Sequence, residues 1–425
     1  MKRTNHKTAP VLLVALIAAS LAGCGASSAA MASNESAVSE TATVSEKSMA
    51  EVSSASAAIV TGLNLSNSGV IDTTDLFTER DLTQTVDLAD ATYVSLQSGE
   101  DVSITKEGVY VLSGEVTDVT VAVEVDSSEK VQLVLDGVTI TNEDSPAIYV
   151  KSADKVFVTT TQDSLNTLSV TGDFTADGDT NTDAVIFSKD VLVLNGLGTL
   201  IINSSNNSIS SKDDLKITGG TYYVTSTADA IEANDSILIA DGSIAISSSK
   251  DGLHAENDED DTQGYVFICG GSMSIDAASD GIQATTYLQV DDGTLDITAS
   301  EGLEATYVQV NGGTINVGAS DDGINATTKS YSVGTPTIEI TGGDVTITMG
   351  AGDTDALDAN GNLYISGGTV SISAQSAFDF DGVGELTGGT VYVNGEQVST
   401  ITNSMMGGMG NPMGGMGGPM GDMQG

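Results

Sequence analysis

The sequence predicts an all-β protein, a right-handed parallel β-helix with three short strands per coil and about 21–22 residues per coil. Three observations predict it. First, a block recurs at a fixed interval: DGIQATTYLQVDDGTLDITAS (residues 280–300) is followed by EGLEATYVQVNGGTINVGASD (residues 301–321) and then by DGINAT from Asp322. Such self-similarity marks a stacked architecture. Second, apolar residues alternate three times within a copy, as Ile282/Ala284, Leu288/Val290 and Leu295/Ile297, the period of a strand with one face inward. Third, Gly219-Gly220, Gly270-Gly271, Gly312-Gly313, Gly342-Gly343, Gly367-Gly368 and Gly388-Gly389 fall between the second and third strands, where a turn with positive φ is wanted. A β-sandwich is the rival fold, but sandwiches do not repeat their turn chemistry at a fixed period.

The elements follow in chain order. Lys2, Arg3 and Lys7 precede an apolar run, Val11 to Ala22, that ends in Leu21-Ala22-Gly23-Cys24. Residues 1–23 therefore read as a lipoprotein signal peptide, too short to span a bilayer, with Cys24 as the lipid attachment site. Residues 24–75, rich in Ser and Ala, read as a flexible tether. The β-helix occupies residues 76–398, with an irregular, capping start near Val109, and insertions lengthen the period after Ala255 and after Thr327. Residues 399–425, Gly, Met and Pro without alternation, cannot bury enough surface to order themselves. This layout places the protein outside a Gram-positive cell, anchored to the outer face of the cytoplasmic membrane through its N-terminal lipid alone.

A formal charge of −45 excludes nucleic acid and anionic lipid as partners held by charge. The acids are ordered. The first position of the repeat is Asp229, Asp251, Asp280, Glu301, Asp322 and Asp355, and three residues later stand Glu232, His254, Gln283, Glu304, Asn325 and Asp358. Stacked carboxylates about 5 Å apart repel by roughly 3 kcal/mol at an effective dielectric near 20. Only Lys250 and Lys329 lie near enough in sequence to offset this. Calcium, which takes six to eight hard oxygens at relaxed geometry, is the economical counter-charge. The candidate ligands are Asp229, Asp251, Asp280, Glu301, Asp321, Asp322, Asn325, Asp353, Asp355 and Asp358, with the acidic insertion from Glu256 to Asp261 as a further local site. For any one aspartate the competing reading is a strand-end cap through its own backbone. Thiolate or imidazole metal sites are not expected: His254 reads as a solvated strand-face residue and Cys269 as an inert, partly packed thiol.

For sugar contacts the candidates are Tyr287 and Tyr307, at one position in successive coils, together with Gln283 and Glu304; Tyr364 lies one place along. Tyrosine is also a good outward strand residue, which leaves the aromatic row open.

The lipobox, the tether, LVLDGVTI from Leu133, SKDDLKITGGT from Ser211, DGLHAENDEDDTQGYVFICGGS from Asp251 and the Gly-Met-Pro tail together carry a resemblance. Over most of residues 75–395 the chain resembles a family of clostridial surface lipoproteins described as carbohydrate-binding domain proteins. The resemblance implies a pectate-lyase-like parallel β-helix that binds calcium and cellulose-like or polygalacturonate-like plant cell-wall polysaccharide without cleaving it. It hands over no residue-level sugar site. Two alternatives stay open. A lyase or hydrolase needs machinery, and Arg80, the sole arginine after the signal, lies at the edge of the predicted fold, whereas stacked acids could meet the spacing of an inverting pair. A structural adhesin or stalk would use the acids only for rigidity.

Overall fold

The structure, a computed structural model, describes residues 58–66, 68–352 and 354–403. The glycine-containing turns bend the chain without breaking its pairing. In Asp214–Ser226, Ser236–Ser248, Tyr265–Ala277 and Tyr287–Ala299, the expected second and third strands run together as one strand of 13 residues. Gly271 takes φ 81°, and the register with the next strand slips on either side of Cys269. Such a slip is a bulge, which turns a strand while its ladder resumes beyond the bend.

The long strands therefore merge two expected sheets into a single 20-stranded one, beside a 12-stranded parallel sheet. Two long strands, Lys130–Asn142 and Asp214–Ser226, each pair with two shorter ones on the same side. With Lys155–Thr160, Val191–Gly196, Thr199–Ser204 and Leu165–Val170 they close a ring of six parallel strands. This corrects the expected right-handed parallel β-helix of three short strands per coil: the protein is all-β, built on a closed six-strand parallel barrel and a 12-strand parallel sheet. Among the described residues the one α-helix is the four-residue Glu79–Leu82.

Inward positions stack like on like. On the 12-stranded sheet Ile231, Leu253, Ile282, Leu303, Ile324 and Leu357 follow one another in register, each fully buried. Burying each such side chain contributes about 1.5–3 kcal/mol. Gly302 sits between Glu301 and Leu303 because a Cβ there would meet the Gly323 carbonyl oxygen and the Val317 side chain. The C-terminal edge ends in an antiparallel pair, Thr390–Val393 with Glu396–Val398, joined by Asn394-Gly395, both at positive φ.

Residues 58–66 and 68–85 lie across the outside of the large sheet; those up to 75 fall within the expected tether, which they leave by packing against the fold. Leu63, Ile71, Leu76, Phe77 and Leu82 cover Leu238, Ala240, Phe267 and Cys269, which would otherwise be an exposed apolar patch. Side chains of the sheet hold the strap's backbone: Gln289 accepts from Ile71 N at 2.8 Å and Gln309 from Val70 N at 2.9 Å. At its far end Asp81 is fully buried, caps the helix through Thr78 N at 2.9 Å and takes Lys155 Nζ at 2.8 Å. Burial pushes the Cys269 thiol up to about 12, which disfavours the thiolate. The expected signal peptide with Cys24, Asp353 and the Gly/Met/Pro tail from Ser404 onward lie outside the described residues.

Candidate functional site

The 12-stranded sheet brings the repeat's acidic positions into two adjacent columns. Asp280 pairs with Glu301 and Asp322 with Asp355; in the second column Glu232, His254, Gln283, Glu304, Asn325, Asp358 and Asp379 follow in register. The first column stands at the strand's start, one place before its buried glycine or alanine and three before the second column. Asp229, Asp251, Asp280, Glu304 and Asn325 are all buried.

The aspartates do cap backbone, but that of the next repeat. Asp229 Oδ1 accepts Asp251 N at 3.0 Å, Asp251 Oδ1 accepts Asp280 N at 2.9 Å, and Asp322 Oδ1 accepts Asp355 N at 3.2 Å. Asn207, not foreseen from sequence, starts this chain by accepting Asp229 N at 3.0 Å. Each cap uses one carboxylate oxygen. The other remains for charge chemistry.

That chemistry differs along the columns. At the Asp229 end, burial alone would raise the carboxyl, but the nearby His254 imidazole, the Asp251 amide and the Lys250 ammonium outweigh it and hold Asp229 at about 2. Lys250 Nζ stands 3.0 Å from Asp229 Oδ2. His254 is not a solvated residue: its Nδ1 is shielded from solvent, 3.6 Å from Asp229 Oδ2 and 3.7 Å from Asp251 Oδ2.

Further along, carboxyl groups crowd. Oxygens of Asp280, Glu301 and Glu304 lie within 4.8 Å of one another. Gln283 Nε2 at 2.8 Å and Lys329 Nζ at 2.7 Å serve Glu304, and Asn325 Nδ2 donates to Glu301 at 2.9 Å. These donors fall short of the charge. Burial, then Asp251, Glu304 and Glu301, raise Asp280. Burial pushes Glu301 up to about 7 despite the Asn325 bond, with Glu304, Asp322 and Asp321 adding to the rise. Asp322 is raised to about 7 by burial and then Asp358, and Asp358 to about 6 by burial and then Asp379 and Asp355. Asn325 Oδ1 is shielded from solvent with no hydrogen-bond donor. A buried acceptor left unpaired beside carboxylates is what a hard cation would satisfy, since amide and carboxylate oxygens are calcium's donor set.

Other expected residues stand apart. Asp321 is exposed ahead of its strand. Asp355 accepts a hydrogen bond from Ser376 Oγ. In the Glu256–Asp261 insertion Asp260 accepts Thr262 N at 3.0 Å, and the Asp261 backbone carbonyl accepts from Ser330 and Ser332 of the other inserted loop. Tyr287 and Tyr307 pair in register with ring centroids 6.2 Å apart, on the large sheet, whereas Gln283 and Glu304 sit in the acidic column. The sequence reading missed Tyr265, which precedes Val266, the partner of Leu288, and so extends the aromatic row by one repeat. The Tyr-Val, Tyr-Leu, Tyr-Val strand starts carried that signal. Tyr307 Oη donates to Glu339 at 2.9 Å, and Tyr364 is the register partner of Glu339. Away from the acids, a groove of about 400 Å³ on the large sheet is lined by Asp276, Asp296, Asn316 and Thr346.

Comparison with known proteins adds the following. The family described as carbohydrate-binding domain-containing protein matches residues 98–354 and 300–399, more than half of the chain. A carbohydrate-binding domain-containing protein of Acetivibrio thermocellus is 40% identical over 126 residues, 29% of this chain and 44% of that protein. The chain thus spans less than half the length of the curated relative it matches. A solved structure of a polysaccharide lyase-like protein from C. thermocellum, in a gadolinium derivative, is 31% identical, with a TM-score of 0.46 over 52% of this chain and 92% of that one.

Proposed function

This chain belongs to the carbohydrate-binding domain-containing protein family, and on that premise we propose that it binds plant cell-wall polysaccharide without cleaving it, assisted by calcium. The observation that carries the reading is the convergence of Asp280, Glu301 and Glu304 beside the donorless Asn325 oxygen. Those four residues would hold one calcium ion, with the Asn325 amide turned so that its oxygen replaces Nδ2 beside Glu301 and Glu304; Asp322 and Asp358, both raised by burial first and then by neighbouring carboxylates, would hold another with Asp355. The ion would supply the positive charge that lets an anionic protein approach an anionic polymer. A uronate carboxylate then completes coordination that the protein leaves short of six to eight oxygens. The protein's own part is to fix oxygens on strands whose registers are locked by buried neighbours, and to offer the Tyr287 and Tyr307 rings to sugar faces. The surface placement follows from Cys24 as the lipid-bearing residue.

Against catalysis stands the deployment of Arg80, whose guanidinium lies 4.5 Å above the Phe157 ring and donates to Gln132 at 3.3 Å, away from the acids. One observation favours a second reading, calcium-assisted elimination: Lys329 is a basic group beside the acidic triad, although Glu304 engages it.

The test is retention on polygalacturonate and on swollen cellulose, with calcium and with EDTA, followed by assays for new reducing ends and for unsaturated products. Retention on polygalacturonate that EDTA abolishes, without product, supports the reading. Product formation would replace it with the enzymatic one. Retention on neither polymer, with EDTA lowering only the melting temperature, would replace it with a structural stalk.

A further inference from the structure

We propose that Asp229, Asp251 and His254 form a second kind of metal site, selective for a first-row divalent ion such as zinc over calcium. The proposal does not depend on the glycan reading. It rests on how the three side chains are held. Asp251 N and Asp280 N bind the Oδ1 atoms of Asp229 and Asp251, at 3.0 and 2.9 Å, and so fix both carboxylates with Oδ2 facing His254. On the other edge of the ring His254 Nε2 lies 3.2 Å from Glu256 Oε2. In the neutral ring Nε2–H donates to this carboxylate, which leaves the Nδ1 lone pair pointing inward, the arrangement that orients metal-binding histidines.

Nδ1 then has no hydrogen-bond partner and no solvent. Its distances to the two Oδ2 atoms, 3.6 and 3.7 Å, are too long for hydrogen bonds. They suit two ligands of one ion: bonds of about 2.1 Å at a tetrahedral angle separate donor atoms by about 3.4 Å. The nitrogen decides selectivity, because calcium prefers all-oxygen shells whereas imidazole suits zinc and its neighbours. Asp229 and Asp251 are nearly fully buried, with side-chain exposures of 5% and 7%, so a neutralising ion there would be well shielded. Lys250 Nζ, 3.0 Å from Asp229 Oδ2, is more than half exposed and competes with the ion from the solvent side. The cluster stands one repeat away from Asp280 and is chemically distinct from the all-oxygen triad beyond it.

The test uses untagged mature protein in excess calcium, with zinc affinity measured by competition against a chromogenic chelator and cobalt(II) substitution followed by its visible absorption. The expected result is tight uptake of about one zinc per chain at this site, weakened at least about a hundredfold in His254→Gln and about tenfold to a hundredfold in Glu256→Gln, which removes only the orienting carboxylate. Lys250→Ala strengthens binding. The cobalt bands of the wild type change in His254→Gln. Calcium-dependent retention on polygalacturonate, the test of the proposed function, stays unchanged in these variants. Glu256 is exposed, so its substitution tests the site even where His254→Gln folds poorly. Equal zinc affinity and equal cobalt spectra in wild type and both variants would overturn the proposal, as would the absence of zinc uptake, which would leave His254 as a counter-charge to the two aspartates.

Discussion

Glu301→Gln should stabilise the calcium-free protein above neutral pH and shrink the stabilisation that calcium provides. Glu301 is held up at about 7, against an ordinary 4.5, by burial and by the acids around it. A carboxyl whose folded pKa is raised binds its proton more tightly in the folded chain. Its favourable contribution is therefore complete below about pH 4.5 and is lost as pH rises through about 7. Full ionisation corresponds to about 3 kcal/mol before solvent screening, and the partial exposure of Glu301 reduces this to about 1–2 kcal/mol. Asp322 and Asp358 act in the same direction. In EDTA the melting temperature should accordingly be higher near pH 5 than near pH 7.5, and calcium should reverse that order by neutralising the ionised cluster. Glu301→Gln in EDTA near pH 7.5 should gain on the order of 2–4 °C. Thermal melts by circular dichroism, with calcium and with EDTA at both pH values, measure all of this. The reasoning fails if the calcium-free protein grows more stable from pH 5 to pH 7.5, or if Glu301→Gln lowers the melting temperature equally with and without calcium.

Other expected outcomes follow from single contacts. Asp81→Ala removes the partner of Lys155 and the cap of the strap helix, and should cost about 3–5 kcal/mol, read by denaturant titration and by new protease cleavage within residues 58–85. Tyr307→Ala should weaken retention on neutral glucan about three- to tenfold in a binding isotherm, while Tyr307→Phe, which keeps the ring and loses only the bond to Glu339, should not. Gly302→Ala should be strongly destabilising because its Cβ meets the neighbouring backbone, whereas Gly318→Ala, whose Cβ would come no closer than 3.8 Å to any atom, should be neutral or stabilising by up to about 1 kcal/mol in the same melts.

What the sequence made legible depended on whether a property repeats. The acidic columns were readable because identical spacing forces identical register: Asp280 could pair with Glu301 only if Ile282 also met Leu303, and a slip by one residue would have turned both apolar side chains outward. The strand count was not readable, since alternation looks the same on both sides of a break and of a bulge. Gly270-Gly271 satisfies either, and the choice is made by the neighbouring strands, whose paired amides resume at Ser272. The strap was invisible for the opposite reason. Its partners are 218 and 239 residues away, and its bonds run from backbone amides to Gln289 and Gln309, so no periodicity announces them. His254 combines the two cases. Its column position was readable, but the contact at its Nε2 comes from an unrepeated neighbour, Glu256, at the mouth of an insertion that interrupts the period. Where the repeat is interrupted, the column changes its chemistry: an all-oxygen ladder acquires a nitrogen donor at the one register position where an inserted loop can supply a carboxylate to orient it.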